Sequence, residues 1–281
     1  MKQIKLLFLL ASASVTGAFA QSNGLTDMSQ SRYAKMANTG IDAVHWTNGF
    51  WGERFNVFSG TSLQSMWNTW NTPEVSHGFR NFEIAAGVCK GEHWGPPFHD
   101  GDMYKWMEGV ASVYAVNKDP ELDKLMDNFI ACVVKAQRAD GYIHTPVVIE
   151  ELNKGIDSHT LADSQQQTVI GTKVGSEDEK GAFANRLNFE TYNLGHLMMA
   201  GIVHHRATGK TTLLDAAVKA TDFLCHFYET ASAELARNAI CPSHYMGVVE
   251  MYRATGNPRY LELSKNLIDI RGMVESGTDD N

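Results

Sequence analysis

The sequence predicts an all-α fold, a stack of helical hairpins of the (α/α)6-toroid kind. Two observations predict it. Residues 196–227 and 244–272 repeat one pattern: each opens on a histidine, runs about three helical turns, breaks at Ala-Thr-Gly and continues into a second amphipathic helix. The two breaks lie 47 residues apart, within the period of roughly 40 to 50 residues that marks stacked helix pairs. An earlier hairpin carries the same signature. Residues 102–116 place Met103, Trp106, Met107, Val110 and Val113 on one stripe, and residues 121–136 place Leu122, Leu125, Phe129, Val133 and Ala136 on another.

The elements follow in order. Lys2 and Lys5, an apolar run from Leu6 and the triplet Ala18-Phe19-Ala20 read as a secretory signal peptide over residues 1–20. The run is too short to span a bilayer, which takes about 20 residues. The expected location is therefore periplasmic or secreted. Residues 21–44, rich in Ser, Asn and Gly, read as a loosely ordered leader arm, and Phe50-Trp51-Gly52 as the start of the packed domain, residues 45–281. Helical patterning begins near Asn56 and returns over residues 82–88, with Asn71-Thr72-Pro73 between. Asp102 reads as the N-cap of the Met103 helix. In the next turn Asp119 caps a helix whose first residue is Pro120. Residues 146–186 are polar and read as a long connection, a functional excursion or an insertion. The two repeated hairpins follow, then a polar tail over residues 275–281. The total is about four hairpins, where a closed toroid takes six or so. The expectation is a partial barrel, either a fragment or a unit covered by another chain, and an open edge of that kind promotes self-association.

Composition narrows the partners. A net charge of −8 without a block of like charges argues against nucleic acid and against an anionic membrane. Six Trp, nine Tyr and eleven His suit a sugar-handling protein. Cys89, Cys132, Cys225 and Cys241 are scattered and form no metal or redox spacing. Cys132 and Cys225 sit in apolar helical stretches and read as buried small hydrophobes. A disulfide is open to an exported chain, and spacing does not assign one.

Phe50-Trp51-Gly52, the run from Asp100 to Glu108, Gln137 to Tyr142, Glu190-Thr191-Tyr192-Asn193-Leu194-Gly195-His196-Leu197 and the His244 hairpin occur in this order. Together they resemble the N-terminal part of the β-L-arabinofuranosidases of glycoside hydrolase families 127 and 146. The resemblance implies an α/α-barrel and hydrolysis of terminal arabinofuranosyl linkages in plant glycans. It also implies a cysteine nucleophile held as thiolate by zinc, with a carboxylate acid/base. In that family the cysteines and the zinc-binding glutamate lie downstream of the segment matching residues 244–272. No residue of this chain is matched to them, and Cys241 is not promoted to that role. The expectation is a catalytically unresolved glycosidase-like chain with no cofactor site of its own. The rival reading is an inactive fragment or carbohydrate-binding protein. A uronic-acid lyase or hydrolase rests on fold analogy alone, and the acidic composition does not help it.

The candidate substrate-binding residues are His196, His244, Glu190, His144, Tyr142 and Trp94. By spacing, His196 and His244 read as helix-start residues that cap or pack; the resemblance places both on the inner face, in contact with sugar. Glu190 either binds a hydroxyl or orients His196, or is a first-turn acid favoured by the helix dipole. Tyr142 and His144 belong to a sugar platform or to a turn with one buried tyrosine. Trp94, on a loop, is the best platform among six tryptophans, since a tryptophan on a helical stripe is more often core. Asp100, Asp102 and Glu108 form a carboxylate cluster of the type glycosidases use, but they read as helix-start residues, with Lys105 and Glu108 pairing on the surface.

Overall fold

A computed structural model of the chain describes residues 24–156, 183, 188–231, 236 and 243–271. Among them the secondary structure is helical. The elements are α1 (Gly49–Val57), a π-helical turn (Phe58–Ser62), α2 (Leu63–Trp70), α3 (Gly78–Ala85), α4 (His99–Asn117) and α5 (Pro120–Ala136). They continue with α6 (Thr145–Asn153), α7 (Glu190–Thr208), α8 (Thr212–Thr230), α9 (Ser243–Thr255) and α10 (Pro258–Arg271). The expected signal peptide, residues 1–20, lies outside the described residues.

The hairpins α4–α5, α7–α8 and α9–α10 set the architecture. Their first helices stand side by side, α7 packed between α4 and α9, while α5, α8 and α10 form a second row behind them. A helix in that central place must bury apolar side chains on more than one side. In α7 Leu194, Leu197, Met198, Met199, Ile202 and Val203 are all buried. α4 and α7 run parallel, because Gly101 meets Asn193 at one end and the Lys118 ammonium donates to the Ala207 carbonyl at 3.1 Å at the other. Glycine makes the close approach possible. A Cβ on Gly101 would stand 2.6 Å from the Tyr192 ring, and one on Gly247 of α9 would stand 2.7 Å from the Gly195 carbonyl oxygen of α7.

The repeat has the local cause expected of it. α7 and α9 each stop before a glycine in the left-handed region, Gly209 at φ 77° and Gly256 at φ 71°. α5 starts at Pro120, and the Asp119 carboxylate accepts from the Glu121 N–H at 2.9 Å. Behind α4 an aromatic core joins Phe129 to Phe82 (ring centroids 5.0 Å) and to Trp106 (6.4 Å).

Several local readings need correction. The first helix begins at Gly49, before Asn56, and Phe50 and Trp51 point largely to solvent (63% and 65% exposed) while only Gly52 is buried there. α4 starts at His99, so Asp102 lies in its first turn and pairs with Lys105 at 2.7 Å in place of capping. Lys105 thus does not pair with Glu108. α7 starts at Glu190, a turn and a half before His196. Within the expected connection, Thr145–Asn153 is helical; Pro146 opens it, and the β-branched run Val147-Val148-Ile149 hid it. The arm is tied down where it is described: the Asp27 N–H donates to Glu250 at 3.1 Å, and Arg206 donates to the Leu25 carbonyl at 2.8 Å.

Candidate functional site

The parallel α4 and α7 bring their N-terminal turns together, and the turn after α5 and the start of α6 close over the same end. The result is two tiers of polar side chains, one buried and one open.

The buried tier holds two carboxylates. Asp100 accepts from the Thr145 N–H at 2.7 Å and the Thr145 hydroxyl at 2.6 Å, with His144 Nδ1 at 3.5 Å. Burial pushes its pKa up, but the neighbouring His144 and the two hydrogen bonds from Thr145 outweigh it and hold the carboxyl below its ordinary value. Glu190 accepts from the Tyr142 hydroxyl and, at 2.8 Å on each oxygen, from the Phe183 N–H. Here burial wins over the opposing influences of His144, Tyr142, Phe183 and Arg138, and the pKa is raised. Arg138, fully buried, braces the turn: it meets Asp140 at 2.6 Å and Glu151 at 3.2 Å and lies 4.9 Å above the Tyr142 ring. Two nearby carboxylates tuned in opposite directions is the arrangement acid/base pairs use. These two, however, are buried and saturated by protein donors, so they serve to hold the helix ends in register.

The open tier lies one turn further along the same helices. Asp102 pairs with Lys105, whose ammonium donates to the Tyr192 hydroxyl. These bonds keep its pKa raised despite desolvation. The Tyr192 ring packs edge-on against His196 (4.6 Å), and His196 Nδ1 lies 3.8 Å from Glu108. Beside this ladder, between α2 and α4, is a cavity of about 440 Å³ walled by Phe58, Leu63, Met66, Trp70 and Trp106, with Asp102 and Lys105 at its polar edge. An apolar, aromatic wall with a few convergent polar groups is the usual make-up of a small-ligand site. The π-helical turn sits in that wall, and such turns recur at functional sites.

The six candidates are thus distributed unevenly. Tyr142, His144 and Glu190 come together in the buried tier, where the tyrosine and histidine rings face protein. His196 belongs to the open tier and keeps 16% of its side chain exposed. His244, at the start of α9, is buried, with Tyr228 parallel to it at 6.3 Å and Tyr245 at 4.7 Å. Trp94 is half exposed on the loop before α4, edge-on to His77 at 4.9 Å, and Asn81 pins its backbone at both N–H and C=O (3.3 and 3.0 Å). Sequence reasoning missed Lys105, Tyr192, Asn193 and Arg138. For Tyr192 a signal existed: it stands four residues before His196, on the same helical face.

The described residues do not fit a zinc site. No group of three or more His, Cys, Asp or Glu side chains among them is placed to hold a metal ion. Cys89, Cys132 and Cys225 are free, and burial raises all three thiols, Cys225 to about 11. Cys241 lies outside the described residues.

Comparison with known proteins identifies the family and the fold. The family model for the β-L-arabinofuranosidase GH127 catalytic domain matches residues 43–281. A non-reducing end β-L-arabinofuranosidase of Bifidobacterium longum subsp. longum is 32% identical over 197 residues, 70% of this chain and 27% of that protein. A solved structure described as a glycoside hydrolase shares 73% identity at a TM-score of 0.64, over 92% of this chain and 32% of its own. The GH127 β-L-arabinofuranosidase Ara127N-Se of Geobacillus stearothermophilus T6 shares 28% identity at a TM-score of 0.64, over 84% and 36%. The chain therefore spans about a third or less of the length of the relatives it matches. On the family match across residues 43–281, this chain belongs to the GH127 β-L-arabinofuranosidase catalytic-domain family, with the α/α-toroid helical architecture of that family.

Proposed function

We propose that the chain binds a terminal β-L-arabinofuranosyl residue of a plant glycan and serves in its hydrolysis. The observation that carries the reading is the 32% identity to a non-reducing end β-L-arabinofuranosidase over 197 residues. That likeness spans 27% of the relative, so the whole enzyme's activity is a proposal for this chain. The open tier supports it: Lys105, Tyr192, Glu108 and His196 offer donors and acceptors next to an aromatic-walled cavity. Such a surface matches a furanose, whose hydroxyls need several partners and whose carbon face suits aromatic contact. Trp94, half exposed on the loop before α4, is proposed to carry the next sugar, and His244 to support the inner wall. Export through residues 1–20 and self-association through the α9–α10 side, where Met246 and Ile268 are exposed, belong to the same proposal.

The test is release of L-arabinose from p-nitrophenyl β-L-arabinofuranoside by the purified chain, with zinc and a thiol reductant, beside the α anomer. Binding of the β anomer in preference to the α anomer is the expected result, and release from the β anomer would place the hydrolysis on this chain. Binding without release would assign a carbohydrate-binding role instead, and neither binding nor release would remove the proposal.

A further inference from the structure

Asn193 puts an amide inside the apolar helix α7, and the side chain is fully buried. Backbone groups on two sides fix which way that amide faces. The Gly101 N–H donates to its Oδ1 at 2.8 Å, and its Nδ2 donates to the Pro97 carbonyl at 2.9 Å. Turning the amide over would set donor against donor at Gly101 and acceptor against acceptor at Pro97, so that orientation is excluded. The remaining hydrogen on Nδ2 then points at His144 Nδ1, 3.2 Å away.

A ring nitrogen that accepts a hydrogen bond does not carry the proton of the neutral imidazole. The Asp100 carboxylate competes for the same nitrogen, but at 3.5 Å, with both of its oxygens already engaged by Thr145 at 2.7 and 2.6 Å. The proton is left on Nε2. That atom is buried and has no hydrogen-bond partner among the described residues.

We infer that Asn193 is a positioning residue that locks His144 in its Nε2–H tautomer, so that the ring presents a donor, and not a base, at the buried end beneath the open tier. What the donor meets must be an acceptor atom; under the sugar-binding reading it is a sugar oxygen that reaches this end. The donor's role rests on the sugar-binding reading; the tautomer does not.

The experiment is two-bond 1H–15N NMR on the full chain with 15N-labelled histidine rings, above neutral pH. The His144 signal is identified by its absence in His144→Gln and by through-bond correlation to its own backbone. The expected result is an Nε2–H pattern in the wild type. In Asn193→Asp, where a carboxylate accepts at the point where the amide donated, the pattern shifts to Nδ1–H. An Nδ1–H pattern in the wild type, or no change in a folded Asn193→Asp, would overturn the inference. If the variant does not fold, the wild-type spectrum alone decides. Titrating in L-arabinose separates the two readings. No shift at any ring nitrogen fails the sugar-binding reading and spares the tautomer lock. A shift at His196 with none at His144 Nε2 overturns the donor role.

Discussion

Replacing His204 by leucine should flatten the acid side of the stability profile. His204 lies in the last turns of α7, entirely buried, and neither ring nitrogen finds a hydrogen-bond partner among the described residues. Burial, helped by the Lys210 ammonium, lowers its pKa from 6.5 to about 4. The folded chain thus holds the ring neutral, while the unfolded chain protonates it at 6.5. A depressed histidine contributes stability that is full above the unfolded value and is lost as pH falls through the folded one. At 1.36 kcal/mol per pKa unit, roughly 3 kcal/mol is lost between pH 6.5 and pH 4, of which about 2 kcal/mol has gone by pH 5. Urea unfolding of wild type and His204→Leu at half-unit steps from pH 7.5 to 4 measures it. The leucine variant should match or exceed the wild type at pH 7.5, since an apolar side chain replaces an unsatisfied polar one, and it should overtake it by about 2 kcal/mol at pH 5. Parallel curves for the two proteins through this window would refute the assignment of a neutral, buried ring.

Other perturbations follow from the packing. Phe129→Ala should cost about 3–5 kcal/mol, because its ring touches those of Phe79, Phe82, Tyr104 and Trp106 and a cavity would remain; a smaller shift in the urea midpoint would mean the core collapses around it. Asp119→Ala removes the cap on α5 and should cost about 1 kcal/mol, read as a lower Tm, with Asp119→Asn nearly neutral. Tyr142→Phe takes one donor from the buried Glu190 carboxyl and should cost about 1.5–3 kcal/mol at pH 7.5. Glu190, already raised by burial, would rise further, so the deficit should shrink as the pH is lowered toward 4.5 and the carboxyl protonates.

Much of the fold was legible because its signals are local. Gly209 and Gly256 in the left-handed region, and Asp119-Pro120 at a helix start, act within a few residues of themselves, and the repeat they punctuate gives the hairpin stack. The start of α7 was not legible. Its apolar stripe begins near His196, but its first turn is held by Tyr142 and Phe183, contacts that no periodicity records. α6 was hidden because Val147-Val148-Ile149 favours strand as readily as helix, and tertiary burial of all three decides the matter. Within the site, His196 and Glu190 could be singled out as polar residues at one helix end. Asn193 could not: its partners Gly101, Pro97 and His144 lie 92, 96 and 49 residues away, and only the α4–α7 crossing brings them together. Tyr142 and His144 are fully buried at the end where α4 and α7 start, which makes them support beneath the open tier.

The most direct measurement is calorimetric titration of the purified chain with methyl β-L-arabinofuranoside, beside its α anomer, in wild type and His196→Ala. Saturable binding of the β anomer is expected, weakened roughly tenfold or more in the variant, as the loss of one hydrogen bond to a sugar hydroxyl implies. No binding of the β anomer, or binding that His196→Ala leaves unchanged, would contradict the placement of the sugar site on the open face of α4 and α7.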